Sequence, residues 1–339
     1  MSIEVKDVSY LYEAGTPFEM AALNHVSLTV GKGEFIGLIG HTGSGKSTLI
    51  QHLNALLEPA SGQVLYDGQD IFAEEAKSRR KEIRQKVGLV FQYPEHQLFE
   101  MTVWKDVAFG PTNMKLSEEE IKERVEWALD LVGLGPEYYE TSPFDLSGGQ
   151  KRRVAVAGVL AMRPEYLILD EPAAGLDPRG RDELFDRIAA LRDKTGMTVI
   201  LVSHSMEDVA RYVDRILVMD HGKLMYDDTP GEVFQHKEEL EAMGLAVPKI
   251  SELGVLLRRR GYEIPKDVIR MDQMEEVLAG IIPGGDFPQV VPLADGETID
   301  LGGRTLEVIA TPGHTGGSVC FLDRGHRILF AGDSLQGLQ

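Results

Sequence analysis

The chain has 339 residues, 43% of them hydrophobic and 26% charged, enough length for about two domains at roughly 150 residues each. Its 35 Lys and Arg against 54 Asp and Glu leave a formal net charge of -19, which repels phosphate backbones and argues against non-specific nucleic-acid binding. Mean hydropathy is -0.14, no apolar run reaches the roughly 20 residues of a spanning helix, the N-terminus lacks a secretory pattern and Cys320 has no second cysteine to pair with, so the expectation is a cytoplasmic protein that meets a membrane only through partners.

From Met1 to about Gly222, short β-rich runs alternate with helix-period segments, which predicts an α/β domain with a parallel core. The apolar run FIGLIG reads as a buried strand and is followed by Gly40-His41-Thr42-Gly43-Ser44-Gly45-Lys46-Ser47 and the helix-compatible TLIQHLNALL. Strand, Gly-rich loop and helix in that order make a phosphate cradle: the glycines let N–H groups turn inward and the helix N-terminus adds a favourable dipole. Lys46 would contact the β- and γ-phosphates, Ser47 would give a hydroxyl to Mg2+, and Thr48 belongs to the same nucleotide-binding set. VGLVF, ending just before Gln92, reads as a second strand; Ser117 and Glu120 form a capping box at the head of a predicted helix, SEEEIKERVEWALDLVGL.

Further on, Leu146-Ser147-Gly148-Gly149-Gln150 precedes a basic helix, KRRVAVAGVLAM, and the strand YLILD ends in Asp170 and Glu171. Two carboxylates at the C-terminal edge of a buried strand lie where α/β sheets bind ligands: Asp170 would hold Mg2+, and Glu171 would polarise the attacking water as general base. RDELFDRIAALRDKT reads as an amphipathic helix and TVILVSH as a strand ending at His204. Between about 227 and 283 the pattern turns helical and charged, a small appendage after a first domain of residues 1–226. No lysine follows Lys266, and from the IIPGGDFP linker onward β-type runs replace helices, so 284–339 reads as a separate β-rich tail of hairpins.

The ordered set of motifs resembles the ATP-binding cassette ATPases. On that resemblance LSGGQ is the signature loop, Gln92 the Q-loop glutamine and a further Mg2+ contact, Gly175-Leu176-Asp177 the D-loop, and His204 the switch histidine; Tyr12, with Tyr10 as a competing choice, is the aromatic that stacks on adenine. It also implies that two such domains face each other head to tail. Ser147, Gly148, Gly149 and Gln150, at the head of a helix beginning near Gln150, would then present donors to ATP held by the partner's Lys46 loop.

QYPEHQLF, TVWKDVAFGP and LSGGQKRRVAVAGVLAM further resemble the energy-coupling factor transporter ATPases, over Met1 to about Gly280. That family implies ATP hydrolysis with Mg2+ to drive uptake of vitamins or metal ions, a heterodimer with a paralogous cassette, a transmembrane coupling subunit, a membrane substrate-binding subunit, and a place on the cytoplasmic face of the membrane. Leu98 and Phe99 are expected as exposed docking residues. Two other readings use the same active site: a soluble cassette ATPase in regulation or assembly, and the ATPase of a cobalt or nickel importer. The tail resembles part of a metallo-β-lactamase-fold hydrolase, with His314 and Asp333 as metal ligands; that family's upstream His-x-His-x-Asp-His motif occurs nowhere in the chain, a further ligand is missing, and the tail is expected to be inactive.

Overall fold

The computed structural model describes residues 2–281 and, beyond them, the strand segments 298–300, 305–310, 319–323 and 328–331. In chain order the strands are β1 (Ile3–Tyr12), β2 (Met20–Val30), β3 (Phe35–Ile39), β4 (Ser61–Tyr66), β5 (Gln69–Asp70), β6 (Val87–Val90), β7 (Tyr166–Asp170), β8 (Thr198–Val202), β9 (Arg215–Asp220) and β10 (Lys223–Asp228), then β11 (Thr298–Asp300), β12 (Thr305–Ala310), β13 (Val319–Asp323) and β14 (Ile328–Ala331). The central sheet runs β10-β9-β3-β8-β7-β6, with five strands parallel and only β10 antiparallel. The strands β3, β6, β7 and β8 are buried along their whole length because both faces are covered there, the condition under which parallel sheets persist.

Side-chain alternation divides this sheet between two cores. Tyr166 and Ile168 of β7, Ile200 and Val202 of β8, and Leu217 and Met219 of β9 face a core shared with Leu49, Ile50 and Leu53 of the helix Lys46–Leu53 and with the antiparallel sheet β2-β1-β4-β5. The intervening residues Leu167, Leu169, Val199, Leu201, Ile216 and Val218 face a larger core built with the helices Val103–Asn113, Glu118–Leu131, Gly148–Leu160 and Pro178–Thr195.

Local signals explain where the helices start and stop. Ser117 and Glu120 close the expected capping box, and that helix ends at Leu131, before the predicted Leu134, because Gly133 takes a left-handed φ of 75° while Leu134 N–H returns to the Leu129 carbonyl. The helix Pro178–Thr195 has Asp177 as N-cap, proline at its first position and left-handed Gly196 at its end.

Residues after 226, expected as an appendage, are contiguous with the cassette core as far as Glu275. Val233, Phe234, Leu240, Leu245, Val247 and Ile269 all join the larger core, and the compact units are Met1–Glu275 and Glu276–Gln339. In the second unit β11, β12, β13 and β14 pair consecutively and antiparallel, so the expected hairpins are joined in one four-stranded meander. His314, Asp333 and the glycines of the linker lie outside the described residues.

Candidate active site

The loop after β3 is shaped by two positions that take no side chain. A Cβ on Gly40 would lie 2.3 Å from the Met219 carbonyl oxygen, and one on Gly45, at φ 103°, would lie 2.4 Å from that of Ala22. The loop therefore curls tightly enough for buried Lys46 to donate from Nζ to the carbonyls of Gly40 (2.6 Å) and His41 (2.9 Å). Burial pulls the Lys46 ammonium down from its ordinary pKa, and the charges of Glu171 and Asp170 oppose that shift. Ser44 Oγ is buried without a hydrogen-bond partner, the kind of orphan a native loop leaves for a ligand.

A cleft of about 200 Å³ opens over this loop. It brings together Tyr12, Thr42, Gly43, Gly45, Lys46, Ser47, Thr48, Gln92, Asp170, Glu171 and His204. Tyr12 Oη lies 3.2 Å from Thr48 Oγ1, whereas Tyr10 packs edge-on between the rings of Tyr12 and His52 and does not line the cleft. The arrangement favours Tyr12 over Tyr10 for stacking on a base. Met20, Ala21 and Ala22 of β2 also line it; sequence reasoning missed them, because small and apolar residues there carry no motif.

The acids arrive from β7, two strands from β3. Asp170 is paired with Val202 of β8, and Glu171 N–H donates to the Val202 carbonyl (3.0 Å) while Glu171 itself is held at a left-handed φ of 52°. A non-glycine residue in that region costs of order 1–3 kcal/mol and persists where the surroundings dictate it. Burial, and then the neighbouring Asp170 charge, push the Glu171 carboxyl up to about 7 against the pull of Lys46. Asp170 is raised by burial, with Lys46 opposing. His204 Nε2 lies 3.4 Å from Glu171 Oε1, but that oxygen has no partner with hydrogen-bond geometry. Burial and the nearby Lys46 lower the His204 pKa. A largely desolvated carboxyl poised near neutrality can take a proton from water.

The signature residues occupy a different cleft. Ser147 N-caps a helix that begins at Gly148, two residues before the expected Gln150, because Ser147 and Gln150 form a second capping box: Gln150 N–H donates to Ser147 Oγ and Ser147 N–H to Gln150 Oε1. Gly148 lies in that first turn. Ser147 and Gly149 face Gly175, Leu176 and Asp177 across the cleft, with Arg153 and Arg179 as cations that the motifs did not flag. Asp177 accepts from Gly180 N–H (2.9 Å), a bond that holds its carboxyl below the usual range. The two clefts share no residue, so neither alone holds all the expected site groups.

The segment after Gln92 corrects one expectation. Leu98 is 7% exposed and belongs to the larger core, whereas Phe99 is 56% exposed and packs edge-on against Phe109, ring centroids 4.9 Å apart, at a groove of about 600 Å³. Only alternate residues of an apolar pair can face out where the chain runs extended, and Leu98 takes the inward place. Glu95, just upstream, accepts from Arg152 Nε and Nη2 (2.9 to 3.2 Å); Arg152 is 4% exposed and sits in the signature helix.

Residues 23–174 match the ABC transporter family model, and residues 232–338 match that of the metallo-beta-lactamase superfamily. The chain is 54% identical over 284 residues to the energy-coupling factor transporter ATP-binding protein EcfA2 of Caldanaerobacter subterraneus subsp. tengcongensis, covering 84% of this chain and 99% of that protein. It is 55% identical over 284 residues to the protein of the same name from Symbiobacterium thermophilum, covering 84% and 98%. Among solved structures, cbiO1 of Clostridium perfringens, part of the ABC transporter complex cbiONQ, is similar at 39% identity and a TM-score of 0.62, over 74% of this chain and 97% of that one. The dimeric cassette MJ0796 bound to ADP and Pi is similar at 29% identity and a TM-score of 0.61, over 67% and 98%.

Proposed function

The chain belongs to the energy-coupling factor transporter ATP-binding proteins, and on that footing we propose that its two clefts are the two halves of a nucleotide site completed only when it closes on a second, paralogous cassette. It is an ATP-hydrolysing subunit that energises uptake. The single observation that carries the two-halves reading is that the phosphate loop with its carboxylates and the Ser147–Asp177 surface share no residue on one chain. Within its own half, the Gly40–Ser47 loop cradles the phosphates with Lys46 against the β- and γ-groups, Tyr12 stacks on the base, Glu171 takes the proton of the attacking water and His204 contacts the γ-phosphate.

The oxygen donors Ser47, Asp170 and Gln92 line one cleft, a donor set that suits Mg2+; the ion would neutralise charge on the phosphates. Ser147 and Gly149, at the head of the helix Gly148–Leu160, offer donors and a positive helix end to the ATP of the partner cassette. Closing the dimer therefore adds stabilisation that the open site lacks, which is how binding is spent on the transition state.

No helix among the described residues is long and apolar enough to cross a membrane. The subunit docks at the cytoplasmic face of the membrane on a transmembrane coupling protein that serves a membrane substrate-binding subunit, and the groove beside Phe99 and Phe109 is the docking surface. The substrate, a vitamin or a metal ion, is chosen by those partners. The division into a cassette, a C-terminal helical extension and a β-rich tail that resembles part of a metallo-β-lactamase-fold hydrolase completes the reading.

A tagged pull-down from detergent-solubilised membranes, with and without MgATP, tests this. The expected catch is a second cassette ATPase with strongly hydrophobic subunits, and Phe99→Asp should lose the hydrophobic subunits while keeping the second cassette. Recovery of soluble partners alone would move the protein to a regulatory or assembly role.

A further inference from the structure

The turn between β9 and β10 brings a second set of ligating side chains against the phosphate loop. His41 Nε2 lies 2.9 Å from Asp220 Oδ1, His221 Nε2 lies 3.8 Å from the same oxygen, and the two imidazole rings have centroids 5.0 Å apart. One ligand atom from each of the three residues falls within 4.8 Å of the others. Two protein segments some 180 positions apart in sequence converge here, and the second is held firmly. His221 and Gly222 both take positive φ (42° and 76°) in a two-residue hairpin turn, Gly222 N–H donates to the Ser44 carbonyl (3.0 Å) and Asn24 N–H donates to the Gly222 carbonyl (2.8 Å).

The hydrogen bonds of His41 define what its Nε2 can do. Nδ1 lies 2.7 Å from the Thr42 carbonyl, which only accepts, so Nδ1 carries the proton. In the neutral ring Nε2 then has a lone pair, and that lone pair faces a carboxylate oxygen that also only accepts. Two acceptors at 2.9 Å need a cation between them or a second proton on the ring. A metal-ligating imidazole commonly has its Nδ1–H fixed by a backbone carbonyl, as His41 has here.

We propose that His41, Asp220 and His221 bind one first-row transition-metal dication, Zn2+ first among them, between the phosphate loop and the β9–β10 turn. Two imidazoles and one carboxylate suit zinc, cobalt or nickel rather than Mg2+, and three protein ligands leave a fourth position for water. Ligand atoms about 2.0–2.2 Å from a tetrahedral metal stand about 3.4 Å apart, so separations of 2.9 and 3.8 Å to Asp220, and one within 4.8 Å between the imidazoles, need side-chain rotation at the exposed His221. The His221 side chain is 83% exposed, which leaves an open path for the ion. The His41 carbonyl is itself an acceptor of Lys46 Nζ, so the ion would tie the turn to the loop that grips ATP.

The test uses the full chain stripped by a chelator and titrated with Zn2+ against a chromophoric competitor, with Co2+ absorption reporting coordination. One equivalent is expected, bound about tenfold or more weakly in His221→Asn, whose asparagine tolerates the left-handed turn, and unchanged when His314→Ala and Asp333→Ala are combined. Asp220→Asn provides a second variant, with far-UV circular dichroism to confirm folding of each. No retained equivalent at micromolar zinc, equal binding in His221→Asn, or loss of the equivalent in the tail variant would overturn the site.

Discussion

The two clefts of the cassette differ in how much of their chemistry is already in place. The cleft over the phosphate loop is tense at its inner groups: Lys46 is desolvated, Glu171 is held at a left-handed φ with its carboxyl pushed up to about 7, and Ser44 Oγ has no partner. The signature cleft is exposed and at rest, since Ser147, Gln150 and Asp177 all spend their side chains on helix caps. One half stores perturbation that a ligand relieves, and the other keeps stable, preformed helix ends that act only when brought to a phosphate. On the proposed function, a site divided in this way would idle in the single chain and work in the pair.

The sharpest way to break the contrast is Glu171→Gln, which keeps shape and removes the base. Turnover by the assembled transporter should fall by about 10²- to 10⁴-fold with ATP affinity within a few-fold of wild type, read by steady-state phosphate release and nucleotide titration. Retention of most activity would remove Glu171 from its role. On the other side, Ser147→Asp keeps a good N-cap and sets a carboxylate against the partner's γ-phosphate. Stability should stay within about 0.5 kcal/mol while turnover drops about 10²-fold, and nucleotide binding to the isolated chain should not change. A loss of ATP affinity in the isolated chain would mean that the clefts are not separate.

The smallest effect is a pH signature. Because the Glu171 carboxyl is raised from 4.5 to about 7 in the fold, the folded chain holds a proton that the unfolded chain releases, so wild-type stability declines as pH rises between these values. Glu171→Gln carries no such cost. Its stability should match wild type below pH 4.5 and exceed it by an amount of order 1–3 kcal/mol above pH 7, measured by urea unfolding without nucleotide. An equal advantage at both pH values would place the effect in packing instead.

Much of this was legible in the sequence because its signals are local. The strand, loop and helix around Lys46, the paired acids ending β7 and the capping box at Ser117 are each written within about twenty residues. The second capping box has the same pattern, Ser147 followed three residues later by Gln150, and was hidden only because those residues already had a binding role assigned. Other features depend on contacts that no short window contains. Leu98 and Phe99 are indistinguishable by hydrophobicity, and only the core decides which turns inward. The approach of His41 to Asp220 joins a loop to a turn far along the chain, and the backbone strain at Glu171 leaves no mark in residue type.

The ion pair between Glu95 and Arg152 ties the turn after Gln92 to the helix that Ser147 caps. Glu95 sits in the short turn Pro94–Gln97, between Gln92 of the nucleotide cleft and Phe99 of the docking groove, and Arg152 sits one turn into the helix that Ser147 caps. With Arg152 almost wholly out of water, pulling the pair apart would strand a charge at a cost of about 3 kcal/mol or more, so the two segments move together rather than separately. On the proposed function, the pair would couple the two: a push on the groove would be felt at the Ser147 end of the helix, and a phosphate seated there would push back on whatever fills the groove.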